Sequence, residues 1–220
     1  MLQSKLAKPC FYIETKADVT EMMALRGGLS KSLGVKITSN AFFIRALAVA
    51  SGKFPIVMGR LNGDNISIAN AINVGFAVHS PQGLVVPVIK DADKKSLGQI
   101  AQEDKLLTEK ARSNKLTLED IEPETMALSN LGVYGIDYFF GIVPPQASVI
   151  LAVGNVIRTV VPRGRAEPCT GSNPPSAGSA VVRKLTSLTL AVDCRIVNEA
   201  YAARFLRFIA EQLENPQQLI

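Results

Sequence analysis

The triplet Asp193-Cys194-Arg195 stands where a long apolar run ends and an amphipathic one is about to begin, with Asn198 and Glu199 close behind it. Reactive side chains often sit at such strand ends, on loops held by a rigid scaffold. A thiol beside a guanidinium can act as a nucleophile if the cation depresses its pKa. The same pattern equally fits a small buried cysteine, with Asp193 and Arg195 forming a salt bridge that fixes the turn. Asn198 also suits the N-cap of the helix that follows. Ser129 ends a short apolar run just before Asn130-Leu131-Gly132. Its hydroxyl can face a cleft there, or bond its own backbone as turn serines do. His79, the one histidine in the chain, precedes the Ser80-Pro81 turn and reads as structural. Gly27-Gly28 followed by Lys31-Ser32 is not a phosphate loop, because Ser30 stands where that loop needs glycine. Cys10, Cys169 and Cys194 have neither zinc-knuckle nor dithiol spacing, so no metal site is expected.

The elements that must position these residues follow from periodicity and punctuation. Residues 10–16 are aromatic and β-branched and predict a strand. Thr20 is expected to cap a helix that Gly34 stops. A second helix over 39–52 is apolar on most sides and is expected to be buried. Two strands, 72–78 and 84–89, flank the turn Ser80-Pro81-Gln82-Gly83. Ser96-Leu97-Gly98-Gln99 has the form of a capping box. The helix it opens runs to about residue 112, with Ile100, Leu106, Leu107 and Ala111 facing inward and Lys110 and Arg112 suiting its C-terminal end. Strands are expected at 126–129, 148–153 and 185–192, and a last helix at 198–213. Residues 162–178 carry prolines and glycines with few apolar side chains and predict an exposed loop. Strands with helices between and after them make an α/β sandwich, read as a single domain over 1–220.

A chain of 220 residues can bury a core without disulfides or metals. Its net charge of +5 is mild and its cations are interleaved with acids, which argues against nucleic acid and is compatible with an anionic, phosphorylated ligand. No apolar run reaches the roughly 18 residues that would span a membrane. The first residues lack the apolar core of a signal peptide, and the odd cysteine count points to a reducing compartment. These features together predict a protein of the bacterial cytoplasm or an organelle matrix, cut from a longer parent.

Four ordered blocks then become specific. Gly83-Leu84-Val85-Val86-Pro87-Val88-Ile89 with Asp91-Ala92-Asp93-Lys94-Lys95-Ser96, Ser129-Asn130-Leu131-Gly132, Pro144-Pro145-Gln146-Ala147 with Ile150-Leu151-Ala152-Val153-Gly154, and Leu213-Glu214-Asn215-Pro216 resemble the core domain of 2-oxoacid dehydrogenase dihydrolipoyl acyltransferases from about residue 9 onward. That resemblance implies a chloramphenicol acetyltransferase-like two-layer α/β sandwich that forms homotrimers, with an active site between two subunits. It implies coenzyme A and dihydrolipoamide as substrates and no cofactor bound covalently in this domain. In the family a histidine of the motif D-H-R-x-x-D/N-G takes the thiol proton, and a serine or threonine hydroxyl bonds the oxyanion.

Carried over residue by residue, Asp193 and Arg195 match the flanks of that motif, Asn198 a variant of it, and Ser129 the oxyanion serine. Cys194 stands where the histidine should be, and Glu199 where the glycine should be, adding an anion that crowds the site or repels coenzyme A. An unperturbed thiol, near pKa ~8.5, is mostly protonated at neutral pH. His79 lies far along the sequence and is not expected to substitute. Two functions remain open from the resemblance. One is a core-forming subunit with lost or weakened transfer. It would be akin to protein X (the dihydrolipoyl dehydrogenase-binding protein), docking with a dihydrolipoyl acyltransferase core and reaching dihydrolipoyl dehydrogenase through upstream domains, in the mitochondrial matrix or a bacterial cytoplasm. The other is an active dihydrolipoyl acyltransferase. A stand-alone acyltransferase acting on another acceptor is more distant.

Overall fold

The computed structural model describes residues 2–121, 123–162 and 180–220. In chain order its elements are α1 (Leu2–Ala7), β1 (Cys10–Asp18), α2 (Thr20–Leu33), α3 (Ser39–Lys53), β2 (Gly59–Asn62), β3 (Asn65–Ile68), β4 (Val74–Phe76), β5 (Val78–Ser80), β6 (Gly83–Val85), β7 (Val88–Ile89), α4 (Leu97–Arg112), α5 (Leu118–Ile121), β8 (Met126–Asn130), β9 (Val149–Pro162), β10 (Ala180–Asp193) and α6 (Glu199–Glu214). The main sheet has six strands in the order β1-β10-β9-β8-β4-β7. The pairs β1/β10, β10/β9 and β4/β7 are antiparallel, whereas β9/β8 and β8/β4 are parallel.

Helices cover one face of the sheet. α3 packs against α2, α4 and α6 as well as β4 and β8, which is why it is apolar nearly all round. Its start is fixed by Thr38, whose side chain accepts from the amide of Ala41. α6 is amphipathic and buries Ala202, Phe205, Leu206, Ile209, Ala210 and Leu213. Burying an aromatic such as Phe205 completely makes its truncation cost about 3–5 kcal/mol. The predicted two-layer α/β sandwich is therefore the architecture found.

Several local expectations are corrected. Thr20 is the first helical residue of α2 rather than its cap: the Asp18 carboxylate accepts from the Thr20 amide at 2.9 Å and from its hydroxyl. Leu106 is 52% exposed, because the inner stripe of α4 runs through Leu97, Ile100, Ala101, Asp104, Leu107 and Ala111. The capping box of Ser96 and Gln99 is present, as expected. The two strands around the Ser80–Gly83 turn are each broken. Their outer halves, β5 and β6, pair with each other, while β4 and β7 stay in the main sheet. β9 and β10 extend well beyond their predicted ends as a paired ribbon, with Pro162 still in β9. Of the loop expected at 162–178, the remainder lies outside the described residues.

The opposite face of the sheet is covered by the chain between β8 and β9. A second small core of Ala127, Val143, Ala147, Ile150 and Ala191 forms there, and Ser4 of α1 donates to the carbonyl of Val143 at 2.5 Å. Two glycines let this covering segment approach the sheet. A Cβ on Gly154 would lie 1.8 Å from the Asp137 carbonyl oxygen, and one on Gly132 would lie 2.5 Å from that of Gly154. The amide of Asn155 donates to Ile136 at 2.7 Å and that of Leu131 to Val153 at 3.2 Å, locking the contact.

Because both clashes are with backbone, Gly154→Ala is expected to cost about 3 kcal/mol, the upper part of the range for overpacking. For a domain of this size that is a fall in Tm of roughly 6–12 °C. A calorimetric melt checks it, and an unchanged Tm would show that the covering segment moves aside freely.

Candidate active site

Ser129 sits on the last rungs of β8, paired with Ala152 of β9. Met126 and Leu128 point into the helical core, so period-two alternation sends Ala127 and Ser129 to the other face. Its hydroxyl has no hydrogen-bond partner among the described residues. The turn is satisfied instead by Asn130, whose side-chain oxygen accepts from the amide of Gly132 at 3.0 Å. Ser129 is thus not a turn serine spent on its own backbone, and it opens onto a cleft of about 730 Å³.

That cleft is walled by Ser129, Asn130, Leu131, Val133 and Tyr134 on one side, by Phe76–His79 and Leu84 on another, and by Thr38, Asn40, Asp104, Thr108 and Arg112 from the helices. His79 is brought there by the sheet. β4 runs parallel to β8 with Phe76 opposite Leu128, and the Ala77 amide donates to the Leu128 carbonyl at 2.8 Å. His79 follows two residues later and is exposed, between the buried Val78 and Ser80. The expectation that His79 stands remote from the site is corrected: parallel pairing joins segments fifty residues apart in sequence.

Asp104 is a site residue that the sequence reading missed. It is 5% exposed, and its carboxylate accepts from Thr38 Oγ1 at 2.9 Å and Asn40 Nδ2 at 3.3 Å. Burial pushes its pKa above the ordinary carboxylate value, against the pull of those two donors. The signal was present in the sequence, since Asp104 falls on the apolar stripe of α4, where a charged side chain is out of place.

Asp193, Cys194 and Arg195 form the turn that ends β10. Asp193 is fully buried. Its Oδ1 accepts from Arg195 Nε at 2.9 Å and its Oδ2 from Arg195 Nη2 at 2.6 Å, a bidentate pair. Burial works to raise the Asp193 pKa, but the Arg195 side chain and amide outweigh it and hold the carboxyl below its usual value. The salt bridge read from the sequence is therefore real. Nearby, Lys8 donates to the carbonyls of Pro144, Pro145 and Ala147, and burial lowers its pKa while the charge of Asp193 opposes that. Cys194 is exposed, so it is not a buried apolar side chain, and its amide donates to Pro9 at 3.0 Å. Asn198 is the N-cap of α6, its side chain accepting from Tyr201, and Glu199 is the first, exposed residue of that helix.

One chain does not bring Cys194 to Ser129. Ser129 pairs with Ala152 and Ala152 with Thr189, and Cys194 lies five residues past Thr189, just beyond the end of β10. Two strand spacings and five residue rises put the two positions on the order of 20 Å apart. No group of three or more His, Cys, Asp or Glu side chains placed to hold a metal occurs among the described residues, and no helix among them is long and apolar enough to cross a membrane.

The family described as 2-oxoacid dehydrogenases acyltransferase (catalytic domain) matches residues 1–220. The chain belongs to this family. Among curated relatives of this acyltransferase domain, component 3 of the Arabidopsis thaliana pyruvate dehydrogenase complex acetyltransferase is 35% identical over 99% of the chain and 39% of its own length. The mouse pyruvate dehydrogenase protein X component is 32% identical over 100% of the chain and 42% of its own length. The domain thus spans less than half of either relative. Among solved structures, one of Azotobacter vinelandii dihydrolipoamide acetyltransferase, from work on the role of a serine, a histidine and an asparagine in its catalytic mechanism, superposes with a TM-score of 0.88 at 30% identity, covering 99% of this chain and 86% of that one. A chloramphenicol acetyltransferase shares the fold at a TM-score of 0.54 and 10% identity, over 96% of this chain and 94% of its own.

The ion pair gives the acyltransferase domain a pH signature. Asp193's folded-state pKa is below its unfolded value, so its contribution is complete above about pH 4 and is lost as pH falls through the folded value. Asp193→Asn is expected to cost about 1–3 kcal/mol at neutral pH, discounted because the Arg195 side chain is 35% exposed. It should also flatten the fall in stability on acidification between about pH 5 and 2. Urea unfolding at several pH values tests this, and parallel profiles for the two proteins would contradict it.

Proposed function

We propose that this domain moves acyl groups between coenzyme A and dihydrolipoamide as part of a pyruvate-type 2-oxoacid dehydrogenase complex. The observation that carries the proposal is the unbonded Ser129 hydroxyl at the wall of a substrate-sized cleft in a chain of this family. A hydroxyl preorganised in a partly enclosed site can donate to the oxyanion that forms when a thiolate attacks a thioester. The Arabidopsis, Rickettsia and Dictyostelium relatives are named as acetyltransferase components of pyruvate dehydrogenase complexes, and the Azotobacter enzyme was studied for a serine, a histidine and an asparagine. Ser129, Cys194 and Asn198 are our assignment of those three positions here, with Asp193 and Arg195 fixing the turn that carries Cys194.

The wide separation of Ser129 and Cys194 within one chain supports a site completed by a second copy, in keeping with the homotrimer that the family resemblance implies. A related structure is described as the cubic core of a pyruvate dehydrogenase complex, at a TM-score of 0.88, 30% identity and coverage of 99% of this chain and 86% of its own. A relative named as mitochondrial in Arabidopsis and another from Rickettsia support our assignment of the domain to a mitochondrial matrix or bacterial cytoplasm. A second reading is favoured by Cys194 itself, since loss of a general base typically costs about 10²–10⁴-fold in rate. On that reading the domain is a core-forming subunit beside a separate acyltransferase, reaching dihydrolipoyl dehydrogenase through segments outside this chain; a relative named as a pyruvate dehydrogenase protein X component supports the core-subunit role.

Acetyl transfer from acetyl-coenzyme A to dihydrolipoamide decides between them. Turnover by the unaltered protein, lowered about 10²–10³-fold in Ser129→Ala, is the expected result. No turnover by the unaltered protein, but rescue in Cys194→His, would mark a core subunit whose remaining site survives. No turnover in either, with assembly intact, would mark a scaffold.

A further inference from the structure

We infer that His79, and not Cys194, is the group that takes and returns the substrate proton at the Ser129 cleft. The inference rests on the acyl-transfer reading and names its missing base. It is argued from placement. The Phe76–Leu128 rung and the Ala77–Leu128 hydrogen bond set Ala77 beside Ser129, and His79 comes two residues later. One strand spacing and two residue rises keep the two backbones within about 12 Å. Both side chains line one cleft. Neither the Ser129 hydroxyl nor the His79 imidazole has a hydrogen-bond partner among the described residues, so both are available to a ligand. Cys194, whichever copy of the chain supplies it, offers a thiol, which has no imidazole's ability to gain and lose a proton near neutrality.

Other titratable and charged groups share the cleft with His79. Asp104 and Arg112 face it from α4, which packs on β5, and Tyr134 faces it from the loop after β8. The step balances within the cleft. The acceptor thiol gives its proton to an imidazole nitrogen as its sulfur bonds to the thioester carbonyl carbon. The oxyanion accepts from Ser129. The carbon–sulfur bond of the original thioester then breaks, and the departing thiolate recovers the proton from the imidazolium. One thiol and one thioester enter, and one of each leaves.

The test measures acetyl transfer from acetyl-coenzyme A to dihydrolipoamide between pH 5 and 8 in the unaltered protein, His79→Gln and Cys194→Ala, with thermal melts as the folding control. His79→Gln is expected to lower kcat by about 10²–10⁴-fold and to remove the rise of rate with pH, while the rise persists in Cys194→Ala. A rise that survives in His79→Gln, or that disappears only in Cys194→Ala, overturns the inference. If the unaltered protein shows no transfer, the acyl-transfer reading fails first, and His79 is judged separately. As the chain's one histidine it gives a single imidazole C2–H resonance. A shift of that resonance on adding coenzyme A or dihydrolipoamide supports a substrate-facing imidazole. A resonance that stays still with either ligand overturns it.

Discussion

The pairing of β9 between β8 and β10 is the constraint from which the remaining geometry follows. On one side β9 runs parallel to β8, and on the other antiparallel to β10, so Ser129, Ala152 and Thr189 share a rung. That rung fixes which end of the sheet carries Ser129 and how far away the Asp193–Arg195 turn must be. It also fixes which face Ser129 presents, because a one-residue slip would turn every side chain on the strand to the other side. The bare backbone of Gly154 lets the covering segment lie directly on β9, and Thr189 secures it by donating to the carbonyl of Phe139, while Thr186 donates to the Gly154 carbonyl across the sheet.

The two ends of the sheet do different physical work. At the Asp193 end, polar groups are tightly paired: a buried carboxylate against a guanidinium, a lysine against three carbonyls, an asparagine capping α6. Such a region holds shape. At the Ser129 end, a half-buried serine and an exposed histidine make no side-chain hydrogen bond among the described residues, and a buried Asp104 is held by two neutral donors. Polar groups converging on a cleft with their bonds unmade are open to a ligand.

Cys194 stands on the shape-holding end. Its neighbours Asp193 and Arg195 form the bidentate pair that fixes the turn, while the thiol between them is exposed. The turn therefore keeps its shape without any bond from the Cys194 side chain.

Much of this was legible in the sequence, and for local reasons. The capping box at Ser96, the stop at Gly34, the buried character of α3 and the Asn198 cap are set by a few neighbouring residues, and they are where the pattern puts them. The Asp193–Arg195 pair is two residues apart and needed no fold to form. What periodicity could not supply was everything that depends on partners distant in the chain. The breaks in the strands around residue 77, the extension of β9 and β10 into a long ribbon, and the exposed side of α4 were decided by which element lay alongside. Asp104 was visible only as an anomaly on an apolar stripe, until Thr38 and Asn40 arrived from another helix to bond it. His79 looked remote because sequence distance says nothing about a parallel crossover, which joins strands far apart in the chain. The sequence by itself determined the caps and cores of the principal elements and the family, since these are properties of neighbours and of order. The tertiary structure alone decided that Ser129 and His79 face one cleft and that Cys194 of the same chain does not, because β-sheet register is settled by the packing of whole faces.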